Sequence, residues 1–402
     1  MNKATIRELA GRLKAKRVFL RVDMNTPQDK DGNVTDDTRI RASLDTIRYL
    51  VDKGAKVILC AHLGRPKSKA DKQFTLKPVY KRLCELMPNT KIAFAPDSIG
   101  PKVEAMISEM SDGHVLLLEN IRFYEEEKKN DPAFAKKLAN LADYYVNDAF
   151  GAAHRAHAST EGIAKYLPAV CGFLMEKEIK ILGEAINNPR RPLTVIMGGK
   201  KVSDKMGVIN GLLRVANNVL IGGGMSYTFA KAHGGEVGNS IVDNDSLDYC
   251  VQVVKDAKAK GITFVTAIDS VVADDFSNDA HIMVAPTNKI PAGWEGLDIG
   301  EKTIEEFKKV IAKSGTVIWN GPLGVSEMSN FANGTTQIAN AILESGAVAI
   351  IGGGDAAAAV TRMGLADKFT HISTGGGASL EFLEGKKLPG VEALLGKDAK
   401  IA

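Results

Sequence analysis

The chain has 402 residues, 45% hydrophobic and 25% charged, with a formal net charge of +4. Length points to two or three domains, because single cores stop growing near roughly 250–300 residues. Composition excludes wholesale disorder, and the absence of a concentrated basic run excludes the usual footprint of a nucleic-acid binder. No apolar run approaches the ~20 residues of a membrane span, and the N-terminus has no unbroken signal-peptide core, so a cytoplasmic protein is expected. Cys60, Cys84, Cys171 and Cys250 are widely spread with no CxxC pair, which argues against a disulfide scaffold or a zinc ribbon.

In chain order, short Val/Ile/Leu-rich runs begin the first half: VFLRVDMN from Val18, KVILCAHLGRP from Lys56, KIAFAPD from Lys91, VLLLENIRF from Val115 and YYVNDAFGAAHR from Tyr144. Continuous apolarity fits strands buried on both faces, as in a parallel sheet. Between them Leu44, Ile47, Leu50 and Val51 fall on one helical face, as do Val79, Leu83, Leu86 and Met87. Strand–helix alternation predicts an α/β sheet. Met175, Ile179, Leu182 and Ile186 then predict an amphipathic connecting helix, broken between Asn187 and Pro192. The second half repeats the alternation, with LTVIMGGKK from Leu193, NVLIGGGMS from Asn218, TVIWNGPLG from Thr316, AVAIIGGGDAAAA from Ala347 and HISTGGGASL from His371.

Ligands of open α/β sheets bind at the carboxyl ends of the strands. In the first half those ends carry Asp23 and Asn25, with Arg39, His62, Arg65, Arg122 and Arg155 at or shortly after them. The arginine fork matches phosphate and carboxylate oxygens, and several forks on one sheet edge point to a small hydroxylated anion. His154 and His157 lack partners at zinc-ligand spacing. The second half offers bare backbone at glycine turns that lead into helices, which suits polyphosphate. There Lys201 and Lys205 follow a glycine turn, Asp355 is placed to hold magnesium, and Glu327 to meet a ribose hydroxyl. GGGDAA from Gly352 formally fits a dinucleotide fingerprint, but the next strand ends in STGGGAS rather than in a ribose-binding acid.

Seven blocks together, RVDMNTP (21–27), HLGRP (62–66), NDAFGAAHRAHAS (147–159), MGGKKVSDK (197–205), WNGPLGVSE (319–327), IGGGDAA (351–357) and STGGGASLEFLEGKKLPG (373–390), resemble the phosphoglycerate kinase family over essentially the whole chain. The resemblance implies two Rossmann-like lobes, each a parallel sheet flanked by helices, joined by a connecting helix and hinge. It implies a 3-phosphoglycerate domain at 1–171, with a tail from about 388 to 402 returning to it. A connecting segment at 172–192 and a nucleotide domain at 193–387 complete the expected layout. The implied reaction is reversible magnesium-dependent phosphoryl transfer between 1,3-bisphosphoglycerate and ADP, in a monomer whose lobes close on their substrates.

Carried over by position, Asp23, Asn25, Arg39, His62, Leu63, Gly64, Arg65, Arg122 and Arg155 match the triose site. Lys205, Asn320, Glu327, Gly353, Gly354, Asp355 and Ala356 match the nucleotide site, Asp355 being the magnesium ligand. Arg39, Lys201, Gly376 and Gly377 are the expected catalytic set, stabilising the transferring group. Thr26 and Lys200 stand where a small apolar and a small uncharged residue are usual. Ala356 stands where a hydroxyl is common, leaving only its backbone N–H for a phosphate. Two other readings stay open on the residues alone. An NAD-dependent dehydrogenase would leave the arginines unexplained, and a non-enzymatic two-lobed binding protein would not need Lys201 beside Asp355.

Overall fold

The structure is a computed structural model that describes residues 2–401. Backbone proximity sorts it into two units: residues up to Lys180 together with the segment from Lys387, and Ile181–Lys386.

The first unit is built on β1 (Arg17–Arg21), β2 (Lys56–Cys60), β3 (Ile92–Phe94), β4 (Val115–Leu117), β5 (Tyr144–Asn147) and β6 (Ala169–Cys171). They lie in the order β3-β4-β2-β1-β5-β6, every pair parallel. Arg21 sits opposite both Cys60 and Asn147, so the carboxyl ends of three central strands fall level. Helices α1 (Thr38–Asp52) and α2 (Lys77–Leu86) lay Leu44, Ile47, Leu50, Val79 and Leu83 against Val18, Leu20, Val57 and Leu59 in one apolar cluster. That two-sided burial is what the continuous apolar runs encode. The C-terminal segment is stitched to this unit: Ala4 N–H donates to Leu395 O at 2.9 Å, Leu395 N–H to Ala169 O at 2.9 Å and Gly390 N–H to Ala153 O at 2.8 Å.

Helix α3 (Phe173–Asn187) begins in the first unit and ends in the second. Its N-terminus is held by the buried Asp148, whose Oδ1 accepts from Met175 N–H at 3.1 Å, and by Thr46, whose hydroxyl accepts from Phe173 N–H at 3.0 Å. Free helix-end donors need such partners when water is excluded.

The second unit runs β7 (Leu193–Met197), β8 (Asn218–Ile221), β9 (Glu236–Val237), β10 (Thr263–Thr266), β11 (Asp269–Ala273), β12 (Ile282–Pro286), β13 (Lys289–Ile290), β14 (Glu295–Ile299), β15 (Thr316–Asn320), β16 (Val348–Gly352) and β17 (His371–Ile372). Its main sheet has the order β10-β8-β7-β15-β16-β17 and is parallel throughout. Asn320 lies opposite both Met197 and Gly352, which lines up the glycine turns that follow β7, β15 and β16. An antiparallel sheet, β12-β11-β14, and the β13-β9 pair were not anticipated from the sequence. No helix among the described residues is long and apolar enough to cross a membrane.

Candidate functional site

Four chain segments meet at the carboxyl edge of the first sheet through one run of hydrogen bonds. Arg39 donates to Asp23 Oδ2 at 2.7 Å, and Asp23 Oδ1 accepts from Asn25 N–H at 3.1 Å. Asn25 Oδ1 in turn accepts from Gly64 N–H at 2.7 Å, and Gly64 O accepts from Arg122 at 2.7 Å. Gly64 is needed twice over: its φ is +60°, and a Cβ there would lie 2.3 Å from the Phe74 ring. One expectation is corrected: Arg39 is not at a strand end but in the first turn of α1, and reaches the site because α1 starts beside Asp23.

Beyond this run, Arg65, Arg122, Lys128, Arg155 and His157 line a cavity of about 280 Å³. Arg122 is only 5% exposed, yet its Nε and Nη2 have no hydrogen-bond partner among the described residues. Burial, with the charges of Arg21 and Arg155, pulls its pKa down to about 10. A guanidinium stays protonated at neutral pH regardless; the shift reflects burial first and the neighbouring arginine charges second. Arg65 is exposed, and Arg155 donates from Nε to His154 Nε2 at 3.1 Å. An anion is the partner such a cluster lacks.

Behind the cavity lies a buried network that the sequence reading did not single out. Arg21 is fully buried and donates to Ser159 Oγ at 2.8 Å and to His62 Nδ1 at 3.0 Å. Ser159 gives its N–H and hydroxyl to Glu127 at 2.8 and 2.7 Å, and His157 Nδ1 lies 3.6 Å from the same carboxylate. Burial alone would raise the Glu127 pKa, but His157, Arg21 and Ser159 together hold it below the usual carboxylate value. His62 is pushed well below the ordinary imidazole range by burial and by Arg21, Arg122, Arg155 and Arg39. The available signal was Arg21 itself, a charge in the otherwise apolar run Val18–Val22, which is rarely buried unless paired.

In the second unit the expected residues gather at the turns after β7, β15 and β16. Asn320 is fully buried; its Nδ2 donates to Gly352 O at 2.8 Å and its Oδ1 accepts from the Lys205 ammonium. One donor and one acceptor position of the amide thus hold the glycine turn and Lys205. Gly353 has φ +90° and a Cβ there would lie 2.9 Å from Asn320 Nδ2, so this turn admits no side chain. Burial draws the Lys205 pKa below the ordinary lysine value of 10.5, against the opposing pull of Asp355.

Helix α4 (Met206–Leu212) follows Lys205, and α5 (Gly354–Arg362) starts right after the Gly353 turn, with Asp355 exposed in its first turn. Ala356 faces inward, fully buried in the apolar cluster with Ile351 and Trp319, so its methyl is core packing and only its backbone faces the turn. Lys200 and Lys201 are both exposed. Glu327 is exposed and 3.4 Å from Arg362. Gly376, with φ +53°, precedes α6 (Gly377–Leu383), whose first residue is the exposed Gly377. Thr26 keeps its hydroxyl buried with no partner among the described residues.

Among the described residues no three His, Cys, Asp or Glu side chains converge as a metal-binding group. Magnesium does not require one, since it keeps several waters and commonly takes one or two carboxylates alongside substrate phosphates. Asp355, exposed at a helix start near the Lys205 ammonium, fits that limited role.

Comparison with known proteins gives one answer. The family model for phosphoglycerate kinase matches residues 6–386. A cytosolic phosphoglycerate kinase of Nicotiana tabacum is 56% identical over 386 residues, covering 95% of this chain and 96% of that protein. The solved structure of phosphoglycerate kinase from Coxiella burnetii matches with a TM-score of 0.88 at 36% identity, covering 97% of this chain and 98% of that one. The phosphoglycerate kinase of Pyrococcus horikoshii OT3 matches with a TM-score of 0.84 at 35% identity, over 97% and 98%. With two parallel six-stranded sheets, an anion-seeking arginine cluster and a run of glycine turns already in view, this chain belongs to the phosphoglycerate kinase family.

Proposed function

We propose that the first unit holds 3-phosphoglycerate and the second holds Mg-ATP or Mg-ADP, for the phosphotransferase reaction of the family: reversible transfer between 1,3-bisphosphoglycerate and ADP. The observation that carries this division is Arg122, buried with two unpartnered nitrogens beside Arg65, Arg155 and His157. Such a cluster is matched to a phosphate, whereas the second unit offers backbone amides and Lys205. The dehydrogenase and binding-protein alternatives lose their footing with the family assignment.

Phosphoryl transfer asks little covalent chemistry of the protein; it asks for alignment and for neutralised charge on the moving group. Arg65, Arg122 and Arg155 hold the far phosphate of the triose, with Asp23 and Asn25 at its hydroxyl. Remote binding of this kind turns into alignment at the reacting end. Arg39, aimed by its bond to Asp23, and Lys201, exposed after the β7 turn, supply positive charge to the transferring oxygens, with the amides of Gly376 and Gly377. The attacking carboxylate or phosphate oxygen is ionised at neutral pH, so no general base is needed. Lys205, held by Asn320, faces the nucleotide phosphates, with the turn at Gly353, Gly354 and Ala356 giving backbone donors and Glu327 meeting the ribose. Magnesium, when bound through Asp355, screens the nucleotide's phosphate charge.

The cytosolic tobacco relative supports a cytoplasmic location; a monomer is the expectation carried by the family resemblance alone. The deciding experiment is a coupled assay with 3-phosphoglycerate, ATP and magnesium. Turnover that requires all three supports the reading, and turnover indifferent to 3-phosphoglycerate overturns it.

A further inference from the structure

We propose that Asn120 is a positioning residue for the triose site, fixing the loop that carries His62–Arg65 at a set distance from Arg122. The inference rests on the assignment of that cluster to 3-phosphoglycerate.

The loop between β2 and α2 spans 61–76, a long connection by the standard of compact domains, where about 4–6 residues is typical. Left alone, a segment of that length would not hold His62, Gly64 and Arg65 in one geometry. Asn120, immediately before the short helical turn Ile121–Phe123, is fully buried. Its Nδ2 donates to Leu63 O and to Phe74 O, both at 2.8 Å. Its Oδ1 accepts from Leu63 N–H at 3.3 Å and from Arg122 N–H at 3.1 Å. An amide side chain has two donors and two acceptor lone pairs, and here all four are spent. Asn120 therefore has nothing left to offer a substrate; what it does is join both ends of the loop to the backbone of Arg122.

The groups so joined are site groups. Leu63 is clasped on both its N–H and its carbonyl, and the next residue, Gly64, bonds Asn25 on one side and Arg122 on the other. Phe74, whose carbonyl Asn120 holds, puts its ring against Gly64. Glu119 completes the far end, its carboxylate accepting from Thr75 Oγ1 at 2.6 Å and Leu76 N–H at 2.8 Å. The donor side of Asn120 cannot be replaced by an isosteric carboxylate, because a second oxygen would face the Leu63 and Phe74 carbonyls with no proton between them.

The test is steady-state kinetics of Asn120→Asp and Asn120→Ala, with thermal midpoints recorded alongside. The expected result is a KM for 3-phosphoglycerate raised about tenfold in both, some 1.4 kcal/mol of binding, with KM for Mg-ATP within about twofold of the parent. Asn120→Asp keeps the shape and the two acceptor bonds, so it serves where the alanine variant does not fold. Soluble variants with both KM values unchanged, whatever their thermal midpoint, would overturn the proposal. Arg122→Ala run in parallel separates the two failures. If it too leaves KM for 3-phosphoglycerate unchanged, the site assignment falls; if it raises KM while Asn120 variants do not, only the positioning role falls.

Discussion

The guanidinium of Arg21 lies 3.0 Å from Nδ1 of His62, both side chains shut away from solvent. A guanidinium has donors and no acceptor, so Nδ1 of His62 must accept, and in the neutral ring the proton sits on Nε2. Four arginine charges and burial keep the ring neutral. The folded protein therefore binds fewer protons at His62 than the unfolded chain, whose imidazole takes one up near 6.5. Stability contributed this way is present above about pH 6.5 and is lost as pH falls below it, with a slope approaching about 1.4 kcal/mol per pH unit. Urea midpoints of the parent and His62→Asn between pH 7.5 and 5 check this. The gap between them should change with pH, the parent losing more on the acid side; parallel curves would contradict it.

Arg122→Ala should raise KM for 3-phosphoglycerate by about 10–100-fold, the cost of losing charge-assisted contacts. The same change removes a buried charge with two unpartnered nitrogens, so the thermal midpoint should hold or rise. Kinetics and a thermal melt on one preparation check both halves.

For Arg39→Ala the expected loss is in kcat, by roughly 10²–10³, as for removal of one preorganised transition-state donor. Lys201, exposed on its turn, should behave likewise, with kcat falling and nucleotide affinity little changed. A pure affinity loss in Lys201→Ala would make it a binding residue alone.

Burial lowers the Lys205 pKa, so its charge is lost at a pH below the ordinary lysine value of 10.5. KM for Mg-ATP should therefore climb on the alkaline side before that point. Lys205→Arg, which stays charged, should remove the climb. Initial rates across pH 7–10 with each enzyme decide this.

Much of the scaffold was legible in the sequence because its strands are buried on both faces, and such strands read as unbroken apolar runs: Val57–Cys60 and Val115–Leu117 are examples. The helix Phe173–Asn187 was legible for the complementary reason, an apolar stripe ended by Asn and Pro. The strand Ile282–Pro286 was not, since it lies at a sheet edge with Ile282 41% and Val284 63% exposed, and no buried face disciplines its pattern. Arg39 was placed on a strand end although Asp36, Asp37 and Thr38 are residue types that open helices; Asp36 Oδ1 accepts from Thr38 N–H at 2.8 Å where α1 begins. The Arg21–Ser159–Glu127 network joins Arg21 to Ser159, 138 positions on, and Ser159 to Glu127, 32 positions back, and only the fold brings them together. Asn320 was read as a nucleotide contact; that its amide also joins Lys205 to the Gly352 carbonyl depends on the fold and has no signal in the sequence.

The division of ligands between the two units is tested most directly by backbone amide NMR of the whole chain, titrated with each ligand separately. 3-Phosphoglycerate alone should shift the amides of residues 23–25, 62–65, 122 and 155 and leave 353–356 in place; Mg-ADP alone should do the reverse. Shifts from 3-phosphoglycerate centred on the 353–356 turn, with the arginine-bearing segments unmoved, would contradict the account.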